Sequence, residues 1–189
     1  MKEPSFIVPT YDAFAREYDV TYLQSHYLDE DQEVSIYLLA PIYAKTVIDV
    51  GCGTGFAIEW LGITPDDYFG LDPSRGMLTE FHRKHPKYSA VCEAFEDSTL
   101  LPEDVILGLF GSPSYVNPDH YGRLKSLARE WYFLMFYREG YVPTYYPQEQ
   151  ADVIKAYIDY PRIKETFACT FEWHDFLIAT NLISTMPWI

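Results

Sequence analysis

Apolar residues along the chain fall into short dense runs, separated by stretches where they recur every three or four positions. The dense runs cover 46–50, 67–71, 88–92, 104–110, 132–137, 164–171 and 174–180. Runs this short, bounded by turn residues, predict buried strands. Helical patterns lie between them. In 119–130, Tyr121, Leu124, Leu127 and Ala128 form one stripe, while Arg123, Lys125, Arg129 and Glu130 face away. Residues 148–159 follow Pro147 and place Ala151, Ile154, Tyr157 and Ile158 on one side. The helix after Gly55 is short, since Gly62 and Pro65 stop it, and residues 75–84 supply the next. Strand–helix alternation predicts an α/β fold with right-handed crossovers and a mostly parallel sheet covered by helices on both faces. The last two strands have no helix between them and should pair antiparallel, through a turn near Trp173 and His174.

The first strand carries the chemistry. Val47-Ile48-Asp49-Val50 runs into Gly51-Cys52-Gly53-Thr54-Gly55, three glycines at alternate positions where backbone must come close to something else. The second strand ends in Phe69-Gly70-Leu71-Asp72, again on a carboxylate. Two strand-end acids flanking a glycine turn suit a nucleoside, with one acid on the ribose. A dinucleotide fingerprint requires glycine at position 56, where Phe56 stands, and Asp49 would repel a pyrophosphate. No Gly-Lys-Ser/Thr follows, so a P-loop is excluded. S-adenosylmethionine, which has no phosphate and carries a sulfonium and an ammonium, turns the carboxylates into attractive partners. The glycines would let its methionine portion lie on bare backbone, and Asp72 would accept from both ribose hydroxyls.

Residues 47–55 resemble the first motif of class I S-adenosylmethionine-dependent methyltransferases, and Leu71-Asp72-Pro73-Ser74-Arg75-Gly76-Met77-Leu78 resembles their second. Val91 to Asp97 is similar to the segment that holds the adenine ring, and Val105 to Ser112 to the fourth strand and its loop. Tyr11 to Asp19 looks like the lead-in helix of the small-molecule branch. The resemblance covers roughly residues 10–140 and implies a Rossmann-like sheet of seven strands in the order 3-2-1-4-5-7-6, the last strand antiparallel. It implies one methyltransferase domain over 1–189, with 1–45 as a helical lid and 46–181 as the core. The cofactor set implied is Asp49, Gly51, Cys52, Gly53, Gly55, Asp72, Pro73 and Met77. Glu93, Ala94 and Phe95 join it at the adenine, and Tyr11 and Tyr18 from the lid helix, where Arg16 would pair with the cofactor's carboxylate. Plain rivals are that Asp49 caps the next helix and that Asp72 braces the Pro73 turn.

The methyl acceptor should approach beside Phe110-Gly111-Ser112-Pro113-Ser114-Tyr115. Methylases of nucleobase amines place an acid or amide, two prolines and an aromatic there; this loop matches only in part, and it resembles more closely the Gly-Ser-x-Ser-Tyr loop of the small-molecule branch. Its plain rival is a turn closed by serine hydroxyls. Tyr141, Tyr145 and Tyr146 should border the acceptor pocket. For a catalytic group, Tyr115 and His120 are the candidates, His26 and His174 being further away in the topology. A base is not required, because alignment and exclusion of water supply most of the acceleration of an in-line methyl transfer.

Charge narrows the substrate. The chain has 28 acidic residues against 14 basic ones, a net charge of −14, which repels polyphosphate and disfavours nucleic acid. The basic cluster His82-Arg83-Lys84-His85-Pro86-Lys87 fits the C-terminal end of a surface helix. No apolar run is long enough to span a bilayer, and Met1-Lys2-Glu3-Pro4 has no signal pattern. Cys52, Cys92 and Cys169 are too few and too far apart for a disulfide framework or a zinc site, which points to buried thiols in a reducing cytoplasm. The expectation is a cytoplasmic enzyme that methylates N, O or C of a small molecule, with S-adenosylhomocysteine as product. A nucleobase or protein side-chain methylase, and a non-catalytic partner subunit that only binds the cofactor, are the alternatives.

Overall fold

The computed structural model describes residues 7–23, 45–141, 143 and 146–182. Seven strands form one sheet: β1 (Val47–Val50), β2 (Tyr68–Leu71), β3 (Ser89–Val91), β4 (Glu103–Gly108), β5 (Ala128–Tyr137), β6 (Cys169–Trp173) and β7 (Phe176–Thr180). Their order is β3-β2-β1-β4-β5-β7-β6, as expected, with β7 antiparallel to both β5 and β6 and the first five strands parallel. The helices are α1 (Val8–Leu23), α2 (Phe56–Leu61), α3 (Arg75–Lys84), α4 (Tyr121–Leu127), α5 (Gln148–Tyr157) and α6 (Tyr160–Thr166). The strand order reverses between β1 and β4, which opens a crevice at their carboxyl ends.

The centre of the sheet is apolar on both sides. Val105, Ile106 and Leu107 of β4 and Phe133 to Phe136 of β5 have no solvent exposure, the burial a covered sheet demands. At about 2 kcal/mol for each fully buried large side chain, this pair of strands anchors the fold. Tyr121 of α4, Phe136 and Phe167 pack ring to ring beside them.

Three local expectations are corrected. The run 164–171 is not one strand: Tyr160–Thr166 is helical, and β6 starts only at Cys169. Pro161 in the first turn and the Asp159 side chain, which accepts from Arg162 N at 3.0 Å, start α6, and Ile163 and Phe167 face inward at helical spacing. The helix expected over 119–130 ends at Leu127, because Ala128 to Glu130 join β5 beside Glu103. Strand 104–110 ends at Gly108, where the chain turns through Phe110 at φ 52° and Gly111 at φ 86°. The final hairpin turns at His174 and Asp175, with His174 at φ 47°. Of the expected lid, only α1 is described; residues 1–6 and 24–44, including His26, lie outside the described residues, as does Tyr145.

α1 is held against the start of α3. Asp12 Oδ1 accepts from Ser74 Oγ at 2.6 Å and from the Gly76 N–H at 2.8 Å. A Cβ on Gly76 would stand 2.8 Å from the Asp12 main chain, so only glycine admits this approach. Further along, Asp19 accepts from Thr54 Oγ1 at 2.5 Å and pairs with Lys84 at 2.9 Å. Lys84 also reaches Glu59 of α2 at 2.9 Å, so the end of the basic cluster pins three helices as well as complementing the dipole of α3. No described helix is long and apolar enough to cross a membrane. Of the three thiols only Cys52 is buried; Cys92 is exposed and Cys169 half-buried, which corrects the expectation for those two. Both sit where the sheet runs out, Cys169 on the edge strand β6 and Cys92 just past the edge strand β3, where only one neighbour covers the chain.

Candidate functional site

A cavity opens at the carboxyl ends of β1, β2 and β4 and reaches under α1. It gathers most of the residues the motifs nominate: Asp49, Gly51, Cys52 and Gly53 from the first turn, and Asp72, Pro73 and Met77 from the second. Glu93, Ala94 and Phe95 line it from beyond β3, and Tyr11 and Tyr18 from α1. Tyr115 lines it too. Gly55 and His120 do not, and Arg16 is exposed on α1 away from it.

The three glycines of the first turn do different work. A Cβ on Gly51 would lie 2.5 Å from Ser112 Cβ, and one on Gly55 would lie 2.5 Å from the His85 ring. Both are therefore required by packing within the protein. Gly53, at φ 54°, has nothing within 4 Å of a Cβ position and lines the cavity, so its missing side chain leaves open space beside bare main chain. The turn folds onto the next strand through the N–H groups of Gly51 and Cys52, which donate to Leu71 O at 2.8 and 3.1 Å.

Asp72 organises the crevice. It is only 9% exposed, and its two carboxylate oxygens accept from the N–H of Gly53 at 3.0 Å and of Ser74 at 2.8 Å. It does brace the turn after Pro73, as the plain reading had it, but it also holds the glycine turn in place. A carboxylate has about four lone-pair sites, so two remain for a ligand. Burial lifts its carboxyl to about 6, against the opposing pull of the Ser74 and Gly53 N–H groups.

Asp49 does not cap α2, whose N-cap is Gly55 and has no side-chain bond. It accepts instead from the Tyr68 hydroxyl at 2.9 Å and is 2% exposed. Burial pushes it up to about 7; the Tyr68 hydrogen bond works the other way, and the Asp72 charge adds to the rise. Both carboxyls thus titrate above their ordinary value of 3.8 in the folded chain. Protons favour the folded form across that interval, so stability is lost as pH rises from about 4 through about 7 and is regained on acidification. Melts of the ligand-free protein should show Tm climbing as pH falls from about 8 to about 5, and Asp49→Asn should flatten part of that slope. A native Tm indifferent to pH over this range would contradict the assignment.

The cavity wall contributed from beyond β4 is largely aromatic. Phe110, Tyr115 and Val116 line the cavity from beyond β4, Tyr157 from the end of α5, and Ile7 and Val8 from the start of α1. Ser112 Oγ donates to Val50 O at 2.7 Å, and Ser114 Oγ accepts from Tyr137 N at 2.7 Å. Both serine hydroxyls therefore tie the loop to β1 and β5, while main-chain bonds such as Ser114 N to Gly111 O at 2.9 Å close the turn itself, which corrects the plain reading. The Tyr115 hydroxyl sits 2.9 Å from that of Tyr11 and 3.2 Å from that of Tyr137, and it also bonds Tyr146. Tyr146 and Tyr141, expected at the acceptor wall, stand one step behind it, Tyr146 through this cluster and Tyr141 against the Tyr137 ring.

Five contributors escaped the sequence reading. Thr54 and Ser74, each 1% exposed, were quoted within the motifs without a role, and both line the cavity. Asp12 was passed over in the lead-in helix. Tyr68 was legible in principle, since Asp49 pairs with Gly70 and side chains two apart on a strand share a face. Arg123, expected to face away, folds back instead: its guanidinium lies 4.5 Å from the Phe95 ring centre and donates to Phe95 O at 2.7 Å. It holds the loop after β3 in register with the cavity.

Residues 48–107 match a family model described as a methyltransferase domain. No curated protein matches the sequence. Among solved structures, magnesium protoporphyrin IX methyltransferase (ChlM) from Synechocystis PCC 6803, solved with bound SAM, aligns over 95% of this chain and 96% of its own, at 14% identity and a TM-score of 0.61. The amino pentose methyltransferase CalS10 from Micromonospora echinaspora aligns over 66% of this chain and 57% of its own, at 17% identity and TM-score 0.53. DesVI from Streptomyces venezuelae aligns over 67% and 58%, at 18% identity and TM-score 0.52. The chain thus spans less than two thirds of the length of the last two. Residues 48–107 thus match a methyltransferase domain, and the strand order is that of the Rossmann-like fold of class I methyltransferases.

Proposed function

We propose that the protein binds S-adenosylmethionine and transfers its methyl group to a small molecule held against the aromatic wall of the cavity. One observation carries this reading: Asp49, bare Gly53 and Asp72 converge on a single cavity that Glu93, Ala94 and Phe95 also line. The residues fit the cofactor's chemistry. Two carboxyls held above their ordinary range by burial gain most from a cationic ligand, which restores their ionised form. Asp72 has lone pairs left for ribose hydroxyls, and the Phe95 ring backed by Arg123 offers a flat apolar face to a purine.

When bound, the cofactor supplies an activated methyl carbon. The chain's own work is alignment and exclusion of water, by Phe110, Tyr115 and Tyr157 around the reacting centre and by α1 above it. Among the described lining residues none is a histidine, so His120 has no part in the reading. The partial nucleobase motif is accounted for by its serine hydroxyls, both committed to main-chain bonds, which favours a small-molecule acceptor.

The test is binding. At a hundredfold excess over Kd, S-adenosylhomocysteine should raise Tm by about 5 °C or more, from about 2.7 kcal/mol of linkage. Calorimetry should give micromolar affinity for the cofactor and none for NAD or ATP. No heat and no shift with either S-adenosylmethionine or its product would end the proposal.

A further inference from the structure

The cavity's charge is one-sided beyond what the cofactor requires. Asp49, Asp72, Glu93, Glu96 and Asp97 line it, and among its described lining residues there is no lysine, arginine or histidine. The segments 1–6, 24–44, 142, 144–145 and 183–189 contain, by sequence, one lysine, one histidine and no arginine, against five acids. S-adenosylmethionine brings a sulfonium, an ammonium and one carboxylate, a single net positive charge. The two cations packed against lining rings are engaged elsewhere: Lys84, over Phe56, with Asp19 and Glu59, and Arg123, over Phe95, with the carbonyl of Phe95 and the Ser98 side chain.

An acceptor bearing a carboxylate or phosphate would enter a low-dielectric space with uncompensated negative charge and no partner. A cation meets the opposite conditions. The acids lower its energy, and the aromatic side chains of Phe110, Tyr115 and Tyr157 in the wall are of the kind that favours positive charge over negative. The apolar Ile7, Val8 and Val116 beside those rings suit a hydrocarbon body.

We propose that the acceptor is an amine on an apolar or aromatic body, and that the cavity rejects anionic acceptors. This rests on the methyltransferase reading above. The amine arrives as its ammonium form and gives up one proton to solvent at the mouth of the cavity, before water is excluded from the reacting centre. Its lone pair then attacks the methyl carbon; a C–N bond forms while the C–S bond breaks, and the bonding pair stays on sulfur as a neutral thioether. The product leaves as a methylammonium, which the same acids tolerate.

The experiment uses the whole chain with S-adenosylmethionine labelled in its methyl group. A metabolite extract is separated by ion exchange into cationic, neutral and anionic pools, and each is offered as acceptor. The cationic pool should take up roughly ten times more label than the anionic pool, or better. Equal labelling, label chiefly in the neutral or anionic pool, or no label in any pool from protein that binds S-adenosylhomocysteine would overturn the amine assignment alone. Protein that fails to bind S-adenosylhomocysteine in the same preparation would bring down the methyltransferase reading, and the amine with it.

Discussion

Asp72→Asn should weaken S-adenosylhomocysteine binding by roughly a hundredfold while the protein remains folded. Two ribose hydroxyls donating to a carboxylate make charge-assisted bonds of about 1.5–3 kcal/mol each, and an amide forfeits about half of that. The substitution also sets an amide N–H against one of the two main-chain donors, Gly53 or Ser74. That local cost is offset, because the buried carboxyl is itself held up at about 6 by desolvation and its removal relieves the fold. Titration calorimetry with a thermal melt separates the two effects. Affinity within threefold of the native protein would show that the ribose does not sit on Asp72.

A second large effect is expected from Gly111→Ala. Gly111 is at φ 86°, a left-handed conformation that costs a residue with a Cβ about 1–2 kcal/mol. Its Cβ would also overlap the Tyr137 ring and come within 2.7 Å of the hydroxyl. Tyr137 cannot swing aside: it is 2% exposed, its N–H bonds Ser114 Oγ and its hydroxyl meets Tyr115. Overpacking adds about 1–3 kcal/mol, so Tm should fall by about 10 °C. Gly122→Ala is the control, since a Cβ there, on the exposed side of α4, meets nothing within 4 Å. It should leave Tm unchanged or raise it slightly. If both variants melt alike, the account of the turn after β4 is wrong.

The parts of the fold that were legible in the sequence are those fixed by neighbours along the chain. The first turn and its acids announce themselves because strand, glycines and carboxylate are contiguous, and α3 and α5 because their apolar period is regular. The errors have the same physical origin in reverse. Ala128 to Glu130 look helical until Glu103 is known to lie beside Ala128, and Ile163 and Phe167 fit a strand as well as a helix until Asp159 is seen to cap one. The strand order came from resemblance, since spacing alone does not choose it. The roles of the glycines were readable only in part: their positions marked a close approach, but that Ser112 and His85 crowd two of them depends on distant segments. The hydroxyl cluster of Tyr11, Tyr115, Tyr137 and Tyr146 joins residues up to 135 positions apart, and no local pattern encodes it.

α1 grips the machinery at both of its ends. Asp12 reaches Ser74, the neighbour that donates to Asp72, while Asp19 reaches Thr54 inside the glycine turn. Detaching this helix would therefore loosen the turn after β1 and the turn after β2 together, and a ligand bound between them would resist its peeling by its own binding free energy. A guest seated between those two turns would fasten this roof by its own affinity.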